Sequence, residues 1–349
     1  MTGDGGIAAT SRAGDGPPAP AGRALDAPGA GEGASRAETG SAPAAHDAKA
    51  HVPAGKAPGS LVVGLIRLAR PKQWAKNVLV FAAPGAAGVL DNRGPFVDSV
   101  IAFVAFCLAA AGTYYINDAR DVEADRLHPK KRFRPVAAGV VPVPLAYALG
   151  AALLVASVAL SFAARPELAA TVVGYVVLTT AYSSVLKHVA VVDLVAIAAG
   201  FVLRAVAGAA ATGVPISDWF FIVTSFGSLF MVSGKRGAEA REMGAGASGF
   251  RAVLEAYSPS YTAYVRSVTS GAVLVAYCLW AFEKADASAA YFPWYQLSIL
   301  PFVMAVLRYA LVLDQGRGSA PEEIILGDRT LQVIGLAWAI VFGIGVYTA

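Results

Sequence analysis

The stretch FVAFCLAAAGTYYINDARDVEAD, residues 103–125, decides the fold and holds the first hint of chemistry. Residues 103–116 carry no charge and read as the inside of a membrane helix. Asn117, Asp118, Asp121 and Asp125 follow at once. On a helix, spacings of three and four put Asp118, Asp121 and Asp125 on one face, with Asn117 beside Asp121. Three carboxylates so close repel one another unless a cation sits among them. Oxygen-only ligands suit Mg²⁺, which keeps several waters and bridges to substrate phosphates. A solvated acidic helix end is the plainer alternative, but acidic groups flush with an apolar span are costly without a role.

Outward from this stretch, the chain keeps the same character. Of 349 residues, 56% are hydrophobic and 15% charged, against about 25% charged in soluble domains. Residues 1–57 are rich in Ala, Gly, Pro and Ser. They lack the apolar side chains to offset ordering entropy and read as a disordered cytosolic tail, with no apolar signal-peptide region near the start. Residues 60–349 form the second unit, with nine candidate spans at about 74–91, 96–118, 142–163, 168–186, 190–211, 218–234, 263–282, 290–312 and 331–348. The expected fold is all-α: a polytopic bundle of nine transmembrane helices, the first kinked at Pro84 and Gly85.

Alternate loops differ in charge. One set holds 19 Lys and Arg, the other only Arg93, Arg165 and Lys284. The basic set faces the cytosol by the positive-inside rule, which puts the amino terminus inside and the carboxyl terminus outside. The basic residues sit at helix ends rather than on a stripe interleaved with aromatics, so nucleic acid is not an expected partner. Cys107 and Cys278 lie in apolar runs and read as small buried hydrophobes.

Four basic groups fall at cytosolic helix ends. The first is RPKQWAKN, residues 70–77, where Lys72 and Lys76 are expected one helical turn apart on one side, beside Asn77. Interfacial anchoring by Trp74 and the lysines is the alternative. The second is HPKKRFRP, residues 128–135. Lys130, Lys131 and Arg132 suit an ordinary cytosolic loop as well as phosphate contacts, whereas Arg134, fixed before Pro135, suits phosphate through its planar fork. The third, YSSVLKHVAVVD at residues 182–193, carries Tyr182, Lys187 and Asp193 in a short turn. Lys187 and Asp193 make either a structural ion pair or part of a second phosphate and metal site. The fourth, GKRGAE at residues 234–239, sets Lys235 and Glu239 as an i,i+4 pair with Arg236 projecting elsewhere. Arg204, inside the fifth span, either lines a cavity floor or makes a structural pair.

Together, NDxxDxxxD followed by a basic stretch ending in Arg134 and Pro135 resembles the UbiA-type superfamily of intramembrane prenyltransferases. The motifs RPKQWAKNVLVF, NDARDVEADR, HPKKRFRPVA, KHVAVVD and GKRGAE resemble its decaprenyl-phosphate phosphoribosyltransferase branch more closely, over residues 60–349. The resemblance implies a plasma-membrane transferase with a cytosolic site and Mg²⁺ on Asp118, Asp121 and Asp125. It implies phosphoribosyl diphosphate and a polyprenyl phosphate as substrates, cell-wall arabinan precursor as product, and catalytic roles for Asp118, Asp121, Lys187, Asp193 and Arg236. Substrate contacts would come from Lys72, Lys76, Asn77, Asn117, Lys130, Arg132, Arg134, Tyr182, Lys187, Arg204, Lys235, Arg236 and Glu239. The aromatic-prenylating branch carries a second motif, DxxxD, after the sixth span, where this chain reads KRGAE. A UbiA-type enzyme that moves a prenyl group to a small acceptor, and a transporter with a cation site, are the competing readings. A homo-oligomer is left open.

Overall fold

The computed structural model describes residues 59–243, 256–288, 291–316 and 321–348. The segment expected to be a disordered tail lies outside them. Every regular element among the described residues is helical: α1 (Leu61–Ala69), α2 (Ala82–Ala86), α3 (Arg93–Arg120), α4 (Val122–Leu127), α5 (Val143–Ser161), α6 (Pro166–Ser184), α7 (Val192–Thr212), α8 (Asp218–Met243), α9 (Pro259–Ala287), α10 (Trp294–Asp314), α11 (Pro321–Gly327) and α12 (Arg329–Thr348), with 3-10 segments at Pro71–Phe81, Lys131–Phe133 and Leu186–His188.

Eight of the nine expected spans are long helices: α3, α5, α6, α7, α8, α9, α10 and α12. Six of these, all but α6 and α8, are long and apolar enough to cross a membrane by length and composition alone. The apolar side chains point the wrong way for water. Val155, Val177, Leu300, Val333 and Leu336 are all more than 60% exposed, while small residues such as Ala102, Ala105, Ala109, Ala207 and Ala211 fill the centre. That inversion, together with hydrogen bonds closed within each helix, is what a lipid solvent demands. The chain is a multi-pass membrane protein.

The ninth expected span, 74–91, is a correction. It is not one α-helix: the 3-10 segment Pro71–Phe81 runs into α2. The main break lies before it, at Arg70, which adopts left-handed φ 51° and ψ 59°. Pro71 disfavours the α conformation in the residue before it, so α1 stops there, and the Trp74 indole N–H closes the bend on the Ala69 carbonyl at 3.1 Å. Gly208 of α7 explains how the segment beds down. A Cβ at Gly208 would stand 1.7 Å from the Val80 carbonyl oxygen, so the two backbones touch. A similar contact joins α3 and α5, where a Cβ on Gly112 would meet the Gly150 carbonyl at 2.8 Å.

Val80, Phe106, Leu168, Val172 and Tyr175 make the core between the 3-10 segment, α3, α6 and α7. Leu68, Tyr115, Val122, Val136 and Val141 seat α1 and the loop after α4 against α3. The Tyr115 hydroxyl donates to the Leu65 carbonyl at 2.8 Å. Polar side-chain contacts join the bend at Arg70 to the end of α3, the end of α3 to the end of α6, and the end of α6 to the start of α7 and the end of α8.

Candidate active site

Asp118 occupies the last turn of α3, where the apolar run ends, and is 2% exposed. One oxygen, Oδ1, accepts from two arginines: Arg70 Nη2 at 2.6 Å and Arg134 Nη1 at 3.1 Å. The same Arg134 nitrogen donates to Asp125 Oδ2 at 2.7 Å. Asp118 and Asp125 therefore converge on a single cationic point. Arg70 reaches it because its left-handed backbone turns the side chain back over Tyr114, 4.5 Å from the ring centroid. Arg134 is held extended before Pro135 (φ −63°, ψ 145°), the conformation a following proline imposes. His128 shapes the loop between: its Nδ1 accepts from the backbone N–H groups of Lys130 and Lys131 at 3.1 and 3.3 Å. Burial, then the nearby Lys131 charge, push the His128 pKa down.

The expected common face is only partly realised. α3 ends at Arg120 and α4 begins at Val122, with Asp121 at the joint (φ −90°, ψ 10°). Asp121 is partly exposed and pairs with Arg120 at 3.3 Å. Among the described residues no group of three or more His, Cys, Asp or Glu is set to hold a metal. Two carboxylates on one cation still fit Mg²⁺, which is commonly bound by one or two carboxylates plus substrate phosphates.

A second cluster lies across α7 and α8. Arg236 grips Asp193 with two parallel bonds, Nε to Oδ2 and Nη2 to Oδ1, each 2.7 Å. It donates further to the Tyr182 hydroxyl at 2.8 Å and to Glu239. Tyr182 in turn donates to Asp193 Oδ1 at 3.0 Å. Asp193 and Arg236 are 0% and 2% exposed. Lys235 pairs with Glu239 at 3.8 Å, as its i,i+4 spacing implies. The expectation that Arg236 projects elsewhere is corrected: a planar fork on a long stem reaches Glu239 at i+3 and Asp193 on the neighbouring helix together. Asp193, read as either an ion-pair partner of Lys187 or part of a second phosphate and metal site, is gripped by Arg236.

The end of α6 links the clusters. Asn117 donates to the Ser183 hydroxyl at 3.1 Å, and Arg120 donates to the Ser184 hydroxyl and the Ser183 carbonyl, both at 3.2 Å. Tyr182, one residue earlier, belongs to the Asp193 cluster. Two adjacent residues on one helix end thus tie the aspartate-rich site to the Arg236 site.

The UbiA prenyltransferase family pattern matches residues 78–325. The chain belongs to this family. Three relatives carry the name decaprenyl-phosphate phosphoribosyltransferase. The Corynebacterium glutamicum protein is 48% identical over 83% of this chain and 89% of its own length. That of Mycolicibacterium smegmatis is 45% identical over 87% and 99%, and that of Mycobacterium tuberculosis 45% over 83% and 96%. Among solved structures, a UbiA homologue from Archaeoglobus fulgidus bound to GPP and Mg²⁺ superposes with TM-score 0.61 at 18% identity, covering 82% of this chain and 100% of that one. The same homologue bound to Cd²⁺ gives 0.60 at 17%, with the same coverage. At such identities these structures speak for the fold.

The remaining expected residues lie apart from the two clusters or at their margins. Lys72, Lys130 and Arg132 are exposed, and Arg132 lies over the Phe133 ring. Lys72 and Lys76 do not share a face. Three residues per turn in a 3-10 helix leave positions four apart about 120° out of line, and Lys76 instead bonds Gln73 at 2.5 Å. Lys187 lies in the 3-10 turn between α6 and α7. Asn77 and Arg204 are buried together: Arg204 donates to Asn77 Oδ1 at 2.8 Å, the Gly200 carbonyl at 2.6 Å and the Tyr175 hydroxyl at 2.9 Å. Its guanidinium also lies 4.8 Å from the Tyr175 ring centroid. Among the described residues Arg204 has no carboxylate partner; neutral acceptors and aromatic faces carry it.

Two residues escaped the sequence reading. Arg70 stands in a basic stretch with nothing to mark it, and only the αL turn sends it to Asp118. Tyr257, 3% exposed, accepts the Val191 N–H at 2.9 Å across 66 residues of chain.

Proposed function

We propose that the chain transfers a 5-phosphoribosyl group from phosphoribosyl diphosphate to a polyprenyl phosphate. Decaprenyl phosphate is the acceptor in the relatives' shared name, and the product is a precursor of cell-wall arabinan. The observation that carries the reading is the charge of the second cluster. Lys235 and Arg236 balance Asp193 and Glu239, where a DxxxD motif would place uncompensated carboxylates that need a second metal. A site neutralised by its own arginine suits a reaction in which both substrates bring phosphate. The 45–48% identity to the three named relatives supports the same choice.

Asp118 and Asp125, with Asp121 at the joint between α3 and α4, are the residues that would hold Mg²⁺ beside the donor diphosphate. The ion supplies Lewis-acid stabilisation of the charge that builds on the leaving diphosphate. Arg134 already contacts Asp118 and Asp125, Arg70 contacts Asp118, and both are placed to pass a donor bond to a phosphate oxygen. Asn117 and Tyr182 orient the end of α6 between donor and acceptor. Lys72, Lys76, Lys130, Arg132, Lys187 and Lys235 supply the cations that a diphosphate, a 5-phosphate and a lipid phosphate together require. Arg236 and Glu239 position Asp193 and Tyr182, and Arg204 with Asn77 fixes the 3-10 segment that carries Lys76. The lipid phosphate is anionic at neutral pH and attacks the anomeric carbon in line, with inversion, so no side chain needs to act as general base. Catalysis is then positioning and electrostatics.

The site faces the cytosol of a plasma-membrane protein on this reading, supported by the loop charge bias. The test is direct: membranes supplied with labelled phosphoribosyl diphosphate and decaprenyl phosphate should form a labelled lipid and release diphosphate in a Mg²⁺-dependent way. Label transfer only from a prenyl diphosphate to a small acceptor would replace this reading with the prenyltransferase alternative.

A further inference from the structure

The turn between α6 and α7 holds a backbone conformation that its sequence opposes. Val191 has φ 68° and ψ −49°, and the Val192 N–H donates to the Ala190 carbonyl at 2.8 Å. This is the classic γ-turn, rare and strained for any residue with a Cβ. For a β-branched valine a positive φ is an outlier. Such strain persists only where the surroundings over-determine it.

The surroundings here can be named. The Val191 N–H donates to the Tyr257 hydroxyl at 2.9 Å. Tyr257 is itself immobilised. Its ring lies among Leu194, Ala198, Phe201 and Val232 and stacks on Tyr261 at 6.0 Å. Burial raises its pKa, so the hydroxyl stays protonated at neutral pH. Immediately after the turn, the Asp193 N–H donates to the Val189 carbonyl at 2.9 Å, and its carboxylate enters the Arg236 and Tyr182 network. Lys187 stands on the other side of the same turn. Between Lys187 and Asp193 the chain thus passes through one strained residue, and the side chain that holds that residue's N–H is Tyr257.

We propose that Tyr257 is a positioning residue, holding the Val191 γ-turn so that Asp193 and Lys187 keep their places at the substrate site. This rests on the reading of the Asp193 cluster as part of that site. Tyr257 touches no reacting atom on this account; it acts only through the backbone of residue 191.

Glycine at 191 separates this role from general stability, because glycine adopts positive φ without strain and needs no hydroxyl to hold it there. Steady-state kinetics on the full chain, in membranes or a matched lipid bilayer, would compare Y257F alone with Y257F in the V191G background. Phenylalanine keeps the ring packing, so the protein is expected to assemble. In the Val191 background, Y257F should lower kcat/KM for the sugar diphosphate about tenfold or more, equivalent to about 1.4 kcal/mol. In the V191G background the same change should cost less than about threefold. Amide hydrogen exchange over residues 186–195 should rise in Y257F. An equal loss in both backgrounds overturns the proposal, as does full activity in Y257F or unchanged exchange over 186–195. If the wild type turns over only a prenyl diphosphate, the proposed function fails while the cycle is read with that donor. The exchange measurement needs no turnover at all.

Discussion

Asp193 and Asp121 are both carboxylates paired with arginine, yet their different burial predicts different outcomes on mutation. Asp193 and Arg236 have side chains 0% and 3% exposed, so removing either leaves an unpaired charge inside the bundle. Arg236→Ala is expected to destabilise the protein by ~3–5 kcal/mol, read as a lower melting temperature and a smaller monodisperse fraction in detergent, before any kinetic effect can be measured. Asp121, by contrast, is partly exposed and among the described residues pairs with its neighbour Arg120. Asp121→Asn should leave the melting temperature within about 2 °C while turnover falls by about two orders of magnitude, as expected where a lost group acts on transition-state charge. Wild-type turnover in Asp121→Asn would remove that residue from the proposed metal site. The Asp118–Asp125–Arg134 geometry would then have to carry it alone.

At the scale of elements, two local devices shape the site and can be tested apart from it. The first is the backbone contact between Gly208 of α7 and Val80 of the 3-10 segment. An added methyl would stand 1.7 Å from the Val80 oxygen, and neither partner is a flexible side-chain tip. Overpacking of cores usually costs about 1–3 kcal/mol, and Gly208→Ala should reach the top of that range or exceed it. Thermal unfolding in detergent measures it; an unchanged melting temperature would mean that the segment does not bed on α7. The second device is His128, whose Nδ1 caps the Lys131–Phe133 turn and must be unprotonated to do so. Its folded pKa lies below the ordinary value, so the folded loop binds fewer protons than the unfolded one. Its contribution to loop stability is full above about pH 6.5, the ordinary histidine value, and is lost as pH falls through the lower folded value. Trypsin cleavage at Lys130 and Lys131 should accelerate below pH 6 in the wild type, and this extra acceleration should be absent in His128→Phe.

For the molecule as a whole, the expectations concern orientation and the amino-terminal segment. With 19 basic residues on one set of loops and three on the other, a cysteine introduced within residues 244–255 should resist an impermeant thiol reagent added to intact cells and react after permeabilisation. Labelling from outside would reverse the proposed topology. Deletion of residues 1–55 should leave turnover within a few-fold of the full chain, because their composition cannot form a packed site. A membrane-inserted deletion with no activity would give that segment a role in assembly or catalysis.

Much of this protein was legible from composition and period. Bilayer thickness demands about 20 apolar residues per crossing, so the bounds of α3, α5, α6, α7, α9, α10 and α12 lie within five residues of where the apolar runs suggest. NDxxDxxxD likewise announced an acidic site, because carboxylates at a membrane edge are too costly to be incidental. What the sequence could not show was direction. Two lysines four residues apart read the same whether an α-helix or a 3-10 helix carries them, so the spacing aligns Lys72 and Lys76 while the 3-10 segment sets them apart. Spacing along α8 pairs Lys235 with Glu239 and gives Arg236 no partner, because Asp193 lies 43 residues away and meets it only where α7 packs on α8. Arg70 meets Asp118 through a left-handed bend, and Tyr257 meets Val191 across the bundle. Local sequence determines which segments are apolar and where charge gathers, since solvation acts on each residue separately. Which charges meet depends on helix packing and a few strained backbone angles, and those are settled only when distant segments come into contact.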